Sequence, residues 1–394
     1  MDKSELVELL SPEGLRLLDS VPAYAERDVV STVARLRAAG SSPTLVSAVL
    51  TQARLRAKAT GKFGDFASRM LFTDAGLEQA TRLPVAALHA RRFRDAGVAR
   101  VADLGCGIGG DAMAMSALDL EVLAVDADDV TAILASYNLA PFPAAAVEHA
   151  RAQDVDTARV EAVFLDPARR TTGHRDTRRI DPDAYSPPLD FALDTARSLP
   201  TGIKLGPGLD RDLIPNDAEA QWISVDGALV EMGLWFGAVS RPGIRRAALV
   251  LSGTRAAELV GASDAPDAEV RSIGEYVYEP DGAVIRARLI GDLARSLDAG
   301  MVSESIAWLT TDSPRPTPFA RGFRVTDTLP FDESRVKRLL RDRRIGSLEI
   351  KKRGIDLDPA VLRKRLSLRG DGSATLIVTR VAGRHTALLA ERVD

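Results

Sequence analysis

The sequence predicts an α/β protein whose centre is a doubly wound, mostly parallel sheet, with a helical region before it and α+β domains after it. Two observations lead to this fold class. From about residue 99, short apolar segments of strand type alternate with helical segments, which is typical of parallel strands connected through helices. Before that point, apolar residues such as Val29, Val33 and Leu36 recur at the spacing of one helix face.

The helical region is predicted to occupy residues 1–97. Its pattern breaks at Gly40-Ser41-Ser42-Pro43, where Ser42 is a suitable N-cap and Pro43 suits the first turn of a following helix. The helical spacing then resumes with Leu45 and Val49. We therefore expect one helix to end and another to begin at this point.

The sheet domain is predicted to span residues 98–245 and to contain five successive strands. These strands are Val101–Leu104, Glu121–Asp126, a segment that opens at Val147, Ala162–Asp166 and Gly202–Leu205. In a parallel sheet the carboxyl ends of the strands lie at one edge, where doubly wound folds bind their ligands. Residues that directly follow these strands are therefore candidates for a ligand site.

Two smaller α+β domains are predicted after the sheet, at residues 246–318 and 319–394. A proline-rich stretch at 313–318 is typical of a stiff linker between them. The first domain is predicted to open with a strand at 247–251 that leads out of the sheet, and to contain a helical stretch at 283–297. The second is predicted to contain basic helices at 334–344 and 358–365, a strand at 348–352, and a hairpin of 374–378 with 386–390.

Composition is that of a well-folded globular protein. The chain has 394 residues, of which 45% are hydrophobic and 27% charged, and this length favours several domains. A single cysteine, Cys106, excludes an internal disulfide and a multi-cysteine zinc site. The sequence has no apolar run long enough to cross a bilayer, and its N-terminus lacks the pattern of a secretion signal. These features predict a cytoplasmic protein without membrane association.

Charge is distributed unevenly along the chain. Residues 321–394 contain 18 Lys and Arg against 10 Asp and Glu, a net charge of +8, whereas the remainder contains 34 against 45, a net charge of −11. A basic module on an acidic body favours a polyanionic partner, with RNA as the first candidate. The alternative is a small, arginine-rich domain whose charges are only solvated.

A glycine-rich turn lies between the first predicted strand and the next helix, at Gly105-Cys106-Gly107-Ile108-Gly109-Gly110. Its spacing also fits dinucleotide-binding sites, so the glycines alone leave the ligand open. Asp103 favours a different ligand, because a carboxylate here would repel a pyrophosphate. S-adenosylmethionine has an ammonium, a sulfonium and no phosphate. We therefore expect it to bind at Asp103 with Gly105, Gly107 and Gly109, and dinucleotide binding remains the alternative.

Two further carboxylates follow neighbouring strands. Asp126 ends the second strand, where a carboxylate can accept hydrogen bonds from both ribose hydroxyls. Asp154 follows the third strand and is placed to accept from the exocyclic amine of adenine. For Asp103 or Asp126 in isolation, an ordinary turn carboxylate is the favoured interpretation. The ordered series of Asp103, the glycines, Asp126 and Asp154 at successive strand ends predicts a nucleoside-containing cofactor.

The fourth strand leads into Asp166-Pro167-Ala168-Arg169-Arg170, at the edge where an acceptor would meet the cofactor. Asp166 can accept a hydrogen bond from an exocyclic amine, and the carbonyl of Pro167 can accept another. Together they would aim the nitrogen lone pair, and the fixed φ of Pro167 would stiffen the turn. Arg169 and Arg170 are predicted to stack on a base or hold a phosphate; pairing with nearby carboxylates is the alternative.

The cysteine and histidine content restricts the types of methylation and of cofactor that are expected. Methylation of pyrimidine C5 needs a cysteine nucleophile, and Cys106 lies in the glycine loop, so that reaction is not expected. The four histidines are dispersed and lack ligand spacing, so no metal is predicted. They are His89, His149, His174 and His385.

These motifs resemble a bacterial family of class I methyltransferases with a C-terminal THUMP-like domain. The similarity extends over nearly the whole chain and includes Leu77–Thr81, Asp103–Asp111, Phe164–Arg170, Ile203–Asp210 and the basic C-terminal end. The acceptor motif also resembles the Asp-Pro-Pro-Tyr type of amino-group methyltransferases, with Ala168 and Arg169 replacing the second proline and the aromatic residue.

The resemblance implies a Rossmann-like catalytic domain, a ferredoxin-like domain at 246–318 and a THUMP-like domain at 319–394. Residues 71–81 are also distantly similar to the segment before the catalytic fold of trimethylguanosine synthases. That similarity implies that Gln79 and Thr81 contact the methionine end of the cofactor. THUMP domains bind tRNA, which implies RNA, either tRNA or rRNA, as the partner.

The leading hypothesis is therefore an RNA methyltransferase that uses S-adenosylmethionine and acts on an exocyclic nitrogen of a base. A small-molecule or protein methyltransferase is the first alternative. A non-catalytic RNA-binding protein with a vestigial methyltransferase fold is the second. The sequence predicts neither the target nucleotide nor the oligomeric state.

Overall fold

The computed structural model describes residues 3–22, 24–169 and 185–393, with the side chains of Ala168 and Arg169 excepted. The chain divides into two compact units. The first consists of residues 1–205 and 234–240, and the second of residues 206–233 and 241–394. In the parts of the chain that are described, no helix combines the length and the apolarity that a membrane span requires.

Six helices form the N-terminal part of the first unit. They are α1 (Lys3–Leu9), α2 (Pro12–Ser20), α3 (Val29–Ala38), α4 (Pro43–Phe63), α5 (Asp74–Gln79) and α6 (Leu83–Asp95). As predicted, Ser42 caps α4: its hydroxyl accepts a hydrogen bond from the backbone N–H of Leu45 at 3.0 Å, and Pro43 occupies the first turn. This arrangement satisfies one of the otherwise unpaired N–H groups of the helix start.

The predicted parallel strands of the first unit are all present. The helices and strands between residues 100 and 205 are β1 (Arg100–Leu104), α7 (Gly110–Ser116), β2 (Glu121–Asp126), α8 (Asp129–Leu139), β3 (Ala145–His149), β4 (Ala162–Leu165), β5 (Ala168–Arg169), β6 (Tyr185–Ser186), α9 (Leu189–Ala196) and β7 (Thr201–Leu205). β1 pairs in parallel with both β2 and β4, and β4 pairs in parallel with β7. The carboxyl ends of these strands therefore lie at one edge of the sheet.

The complete sheet has nine strands in the order β11-β10-β8-β9-β7-β4-β1-β2-β3. Its further strands are β8 (Glu219–Val225), β9 (Ala228–Phe236), β10 (Arg246–Ser252) and β11 (Arg255–Gly261). β10 was predicted to lead out of the sheet, but it pairs in parallel with β8 and antiparallel with β11. Its residues 247–251 are buried, which suits an inner strand better than an exit from the sheet.

The second sheet belongs to the second unit and has seven strands in the order β13-β14-β12-β15-β18-β17-β16. The elements are β12 (Tyr276–Pro280), α10 (Gly282–Arg286), α11 (Ile290–Leu297), β13 (Gly300–Met301), β14 (Leu309–Thr311), β15 (Ala320–Pro330), α12 (Glu333–Asp342), β16 (Ile345–Arg353), α13 (Pro359–Leu366), β17 (Gly372–Val381) and β18 (Arg384–Val393). The predicted C-terminal helices, strand and hairpin are thus present.

Two details differ from the sequence-based expectations or add to them. The helical stretch predicted at 283–297 is two helices, because Arg288 adopts a left-handed conformation (φ +59) that ends the first. β12 pairs with β15, so strands on both sides of the predicted boundary at residue 318 share one sheet. The division of the chain into four domains, at residues 97, 245 and 318, stays a proposal.

Candidate functional site

The glycine loop connects β1 to α7 and has an unusual backbone. Gly105, Gly107 and Gly109 have φ values of +91, +55 and +85, in the left-handed region that glycine adopts without strain. The N–H groups of Gly105 and Cys106 both donate to the carbonyl of Val125. A Cβ added at Gly107 would meet no atom within 4 Å, so this part of the loop faces open space. The loop therefore presents backbone to a potential ligand.

Asp103 lies inside this site at the end of β1 and is only 1% exposed. Neither of its carboxylate oxygens has a hydrogen-bond partner among the described residues. Burial raises the pKa of Asp103 well above its ordinary value, the nearby carboxylates of Asp111 and Asp166 raise it further, and Lys204 opposes them. A buried carboxylate without a partner is costly. A cationic hydrogen-bond donor that contacts Asp103 would therefore stabilise its ionised form.

Asp126 ends β2 on the other side of the glycine loop. Its Oδ2 accepts from the N–H of Gly107 at 3.0 Å, and its Oδ1 accepts from the N–H of Asp128 at 2.9 Å. Burial raises the pKa of Asp126, and these backbone hydrogen bonds oppose the rise. Asp154 lies in a single 3₁₀ turn (Ala152–Asp154) after β3 and is exposed. The four sequence-predicted elements of the cofactor site thus lie at or after the carboxyl ends of β1, β2 and β3, which are adjacent in the sheet.

Asp166 follows β4, and its backbone lies against the glycine loop. Its N–H donates to the carbonyl of Leu104 at 3.4 Å. A Cβ added at Gly105 would lie only 3.1 Å from the carbonyl oxygen of Asp166. This close approach is a second reason for glycine at position 105. The strand order and the loop conformation together bring the predicted acceptor motif beside the predicted cofactor loop.

The rest of the acceptor motif is described in part. Pro167 is buried, and the backbone of Ala168 and Arg169 forms β5, which pairs with β6 so that Arg169 lies opposite Tyr185. The side chain of Arg169 and the whole of Arg170 lie outside the described residues. Their predicted contacts with substrate stay predictions. The pairing of β5 with β6 places an aromatic residue, Tyr185, beside the acceptor motif, which itself contains no aromatic residue.

Lys204 was given no role by sequence reasoning, yet it joins several parts of the site. It is 8% exposed and projects from β7. Its Nζ lies 2.5 Å from Oδ2 of Asp166 and donates to Oγ1 of Thr81 at 3.1 Å and to the carbonyl of Gln79 at 3.5 Å. A charged residue inside an otherwise apolar strand was the signal that could have identified it.

Thr81 leads to a second buried group that sequence reasoning missed. Its hydroxyl donates to Oδ2 of Asp111 at 2.6 Å, and Nδ1 of His89 lies 2.8 Å from Oδ1 of the same carboxylate. Burial raises the pKa of Asp111, but the hydrogen bond and charge of His89, the charge of Lys204 and the Thr81 hydroxyl together leave it below its ordinary value. Asp111 directly follows the glycine loop, which was the available signal.

The segment that contains Gln79 and Thr81 is fixed over the glycine loop. Nζ of Lys62 donates to the carbonyls of Leu77, Glu78 and Ala80 at 2.7–2.8 Å. Burial, followed by repulsion from Arg82 and Lys204, lowers the pKa of Lys62 to about 8. The side chain of Gln79 is exposed, whereas Thr81 is buried. Their predicted contact with the methionine end of a cofactor stays a prediction.

Two buried amides, one on α4 and one on α8, hold the chain that precedes α5. Gln52 exchanges hydrogen bonds with both backbone groups of Phe72, at 2.7 and 3.0 Å. Asn138 does the same with Leu71 and also donates to the carbonyl of Ile108 in the glycine loop at 2.9 Å. These contacts pair the chain before α5 with side chains rather than with a strand, so the helical region is part of the site's framework.

Comparison with known proteins identifies relatives of most of the chain. Residues 320–392 match the model of a THUMP domain-like family, and residues 2–59 match a domain of unknown function. An uncharacterized S-adenosylmethionine-dependent methyltransferase of Mycobacterium tuberculosis, found in strains CDC 1551 and H37Rv, is 35% identical over 357 residues. The alignment covers 88% of this chain and 95% of the relative.

A solved structure has the same fold. It is a protein of Porphyromonas gingivalis W83 to which a methyltransferase function has been provisionally assigned. It superimposes with a TM-score of 0.73, and the alignment covers 95% of this chain and 100% of that protein. The sequence identity is 20%, so the likeness concerns the fold alone.

Proposed function

We propose that this chain, which belongs to a family of S-adenosylmethionine-dependent methyltransferases with a C-terminal THUMP-like domain, methylates an exocyclic nitrogen of an RNA base. The family and its cofactor follow from the mycobacterial relative and the THUMP domain-like match. Three points are proposed here: which residues hold the cofactor, that the acceptor is RNA, and that the methylated atom is a nitrogen.

The residues at the glycine loop fit S-adenosylmethionine. The buried Asp103 carboxylate, without a partner among the described residues, suits the ammonium of the methionine moiety. The open face at Gly107 leaves room for a ligand against the backbone. Asp126 retains acceptor capacity for ribose hydroxyls beside its two backbone hydrogen bonds, and Asp154 is assigned to the adenine amine. A diphosphate would meet carboxylates at the same positions and be repelled.

The proximity of Asp166 to Gly105 carries the proposal for the acceptor. Since the Asp166 carbonyl lies 3.1 Å from a Cβ built on Gly105, a nitrogen bound at Asp166 would lie next to the cofactor loop. The Asp166 carboxylate and the Pro167 carbonyl each accept one N–H of an exocyclic amine, which directs the nitrogen lone pair away from both. Catalysis then depends mainly on this positioning.

The cofactor, when bound, supplies a methyl group on a sulfonium, which is a good leaving group. A nitrogen that attacks this methyl group acquires a positive charge and must lose a proton. Asp166 is suited to take that proton, because its carboxylate already accepts the N–H and its side chain remains 30% exposed for transfer to solvent. The product is the N-methyl base, and the thioether of the spent cofactor leaves unprotonated.

The basic surface of the THUMP-like region supports RNA as the substrate. Four exposed side chains on α12 and α13 make no ion pair within 4 Å among the described residues: Arg335, Arg338, Arg363 and Lys364. Cations without carboxylate partners are suited to phosphates of a nucleic acid. Arg169 and Arg170 are proposed to contact the same substrate near the acceptor, and tRNA or rRNA are the candidate targets.

Substitution of Asp166 tests this function. We expect Asp166→Ala to abolish methyl transfer to RNA while cofactor affinity, measured by calorimetry, changes little. Asp190→Ala removes an exposed carboxylate from α9 and serves as the matched control, with activity like that of the wild type. Unchanged transfer in Asp166→Ala would contradict the assigned role, and cofactor binding without transfer to RNA by the wild type would contradict the substrate.

A further inference from the structure

The sequence motifs gave Lys204 no role, but it contacts both the acceptor carboxylate of Asp166 and the segment that contains Gln79 and Thr81. We propose that Lys204 is a positioning residue that keeps Asp166 ionised and fixes the orientation of its carboxylate for the methyl acceptor. The inference rests on the proposed function insofar as Asp166 receives the acceptor nitrogen.

Geometry argues that Lys204 acts through Asp166 and not on the substrate. An ammonium has three donors. Three acceptors lie within 3.5 Å of Nζ of Lys204: Oδ2 of Asp166, Oγ1 of Thr81 and the carbonyl of Gln79. Each donor is therefore already directed at a group of the protein, and the ammonium is held from three sides. Such a fixed cation orients the carboxylate that it contacts.

Thr81 in turn is held by a rigid group. Its hydroxyl, which accepts from Lys204, donates to Asp111, and Asp111 contacts His89. His89 is 1% exposed, and its ring centroid lies 5.3 Å from that of Phe164 and 5.7 Å from that of Trp235. Lys204 is thus anchored through a buried hydrogen-bonded chain to the aromatic core, which limits the positions that the Asp166 carboxylate can adopt.

The charges around the pair explain why a cation is needed there. Asp103 on β1 and Asp111 on α7 are buried carboxylates that interact electrostatically with Lys204, and Asp103 also interacts with Asp166. Asp126 on β2 adds a further negative charge near Asp103. On the positive side, Lys62 of α4 interacts repulsively with Lys204, and His89 of α6 faces Asp111.

Removal of the Lys204 charge would take away a positive charge that lies 2.5 Å from Asp166, while the carboxylates around Asp166 would remain. Like charges favour the protonated form of a carboxyl group, and an opposite charge within about 4–6 Å shifts its titration by roughly 1–3 units in the other direction. A protonated Asp166 would present an O–H group to the N–H group of the substrate amine, and two hydrogen-bond donors cannot pair. The lone pair of the amine would then lose its orientation, so the reaction would slow even at saturating cofactor.

The test compares Lys204→Met, which removes the charge and keeps most of the stem, with Lys204→Arg, which keeps the charge. The first readout is the titration of the Asp166 carboxyl carbon by NMR in ¹³C-labelled protein, with the resonance assigned by Asp166→Asn. We expect its midpoint to rise by about one unit or more in Lys204→Met and to stay near that of the wild type in Lys204→Arg. This readout needs no RNA, so it separates failure of this inference from failure of the proposed function.

The second readout is the pH profile of kcat at saturating cofactor on the RNA fraction that the wild type methylates. Lys204→Met should move the acidic limb to higher pH and reduce kcat by about 10- to 100-fold, and Lys204→Arg should restore most of the rate. Thr81→Val tests the same coupling if Lys204→Met does not fold, because it removes one anchor and retains the charge; a smaller loss of kcat is expected. An unchanged Asp166 titration in folded Lys204→Met, or wild-type kcat in Thr81→Val, would overturn the inference.

Discussion

Asp103 and Asp111 lie at the two ends of the glycine loop and interact with each other electrostatically, yet their pKa values are displaced in opposite directions. The pKa of Asp103 is raised well above its ordinary value, mainly by burial, whereas that of Asp111 is lowered in spite of burial. The difference lies in their partners. Asp111 has hydrogen bonds from Thr81 and His89, and Asp103 has none among the described residues. The Asp111 carboxylate is thus paired within the fold, whereas the Asp103 carboxylate is not paired with any described residue.

The thermal stability of the cofactor-free protein should show how much the ionised, buried Asp103 carboxylate destabilises the fold. Because its pKa is raised in the folded state, ionisation weakens the fold progressively as the pH rises from about 3.8, its ordinary value, through the raised folded value. We expect Asp103→Asn to have a higher Tm than the wild type at pH 7–8, with a smaller difference near pH 4. Thermal denaturation of both proteins across this range measures it. Parallel Tm curves for the two proteins would be inconsistent with a buried ionisable carboxylate.

Cofactor affinity should depend on pH through the same residue. The ammonium of S-adenosylmethionine pairs with ionised Asp103, so binding opposes protonation. Affinity should therefore rise with pH, by at most about tenfold per unit while the free carboxyl is protonated. Calorimetry between pH 5 and 6.5 suits this measurement, because an α-ammonium with a pKa of roughly 8 stays charged there. Asp103→Asn should bind weakly and without this slope, and an equal slope in both proteins would place the titrating group elsewhere.

Gly107→Ala and Gly97→Ala form a matched pair. Both glycines have positive φ, +55 and +75, and a Cβ at either would meet no protein atom within 4 Å. Each substitution should therefore cost a similar free energy of unfolding, about 1–2 kcal/mol from the left-handed backbone. Only Gly107→Ala should also lower cofactor affinity, since its methyl group projects into the space assigned to the ligand. Equal cofactor affinities, measured by calorimetry, would contradict that assignment.

The basic helices of the THUMP-like region should determine the salt dependence of RNA binding. Replacing Arg335, Arg338, Arg363 and Lys364 with alanine should reduce the slope of log K against log salt by about 0.7–0.9 for each RNA phosphate that these side chains neutralise. Cofactor affinity should be unaffected. Filter binding between 50 and 200 mM salt measures the slope. A four-residue variant with an unchanged slope would exclude this surface as the RNA-binding surface.

The parts of the site that depend on local sequence were predictable. The glycine loop, Asp103 and Asp126 are each fixed by their positions at the ends of apolar strands, and alternation of strand and helix indicates that these strands are parallel, with their carboxyl ends at one edge. The capping of α4 by Ser42 is equally local. In such cases the interactions that define the structure are formed between residues close in sequence.

The parts that depend on distant contacts were not predictable. Lys204 contacts Thr81, which is 123 positions away, and Asn138 contacts Leu71, which is 67 away. No local pattern encodes either pair, although a lysine in an apolar strand signals that some partner exists. Likewise, the pairing of β12 with β15 connects segments that the proline-rich stretch was predicted to separate, because strand register depends on the partner strand.

The most direct test of the proposed function is to follow a labelled methyl group from S-adenosylmethionine into separated pools of cellular RNA, protein and metabolites. The predicted result is label in RNA, released on nucleoside digestion as a base methylated at an exocyclic nitrogen. Label in the protein or metabolite pool, or at a ring carbon or ribose oxygen of RNA, would contradict it.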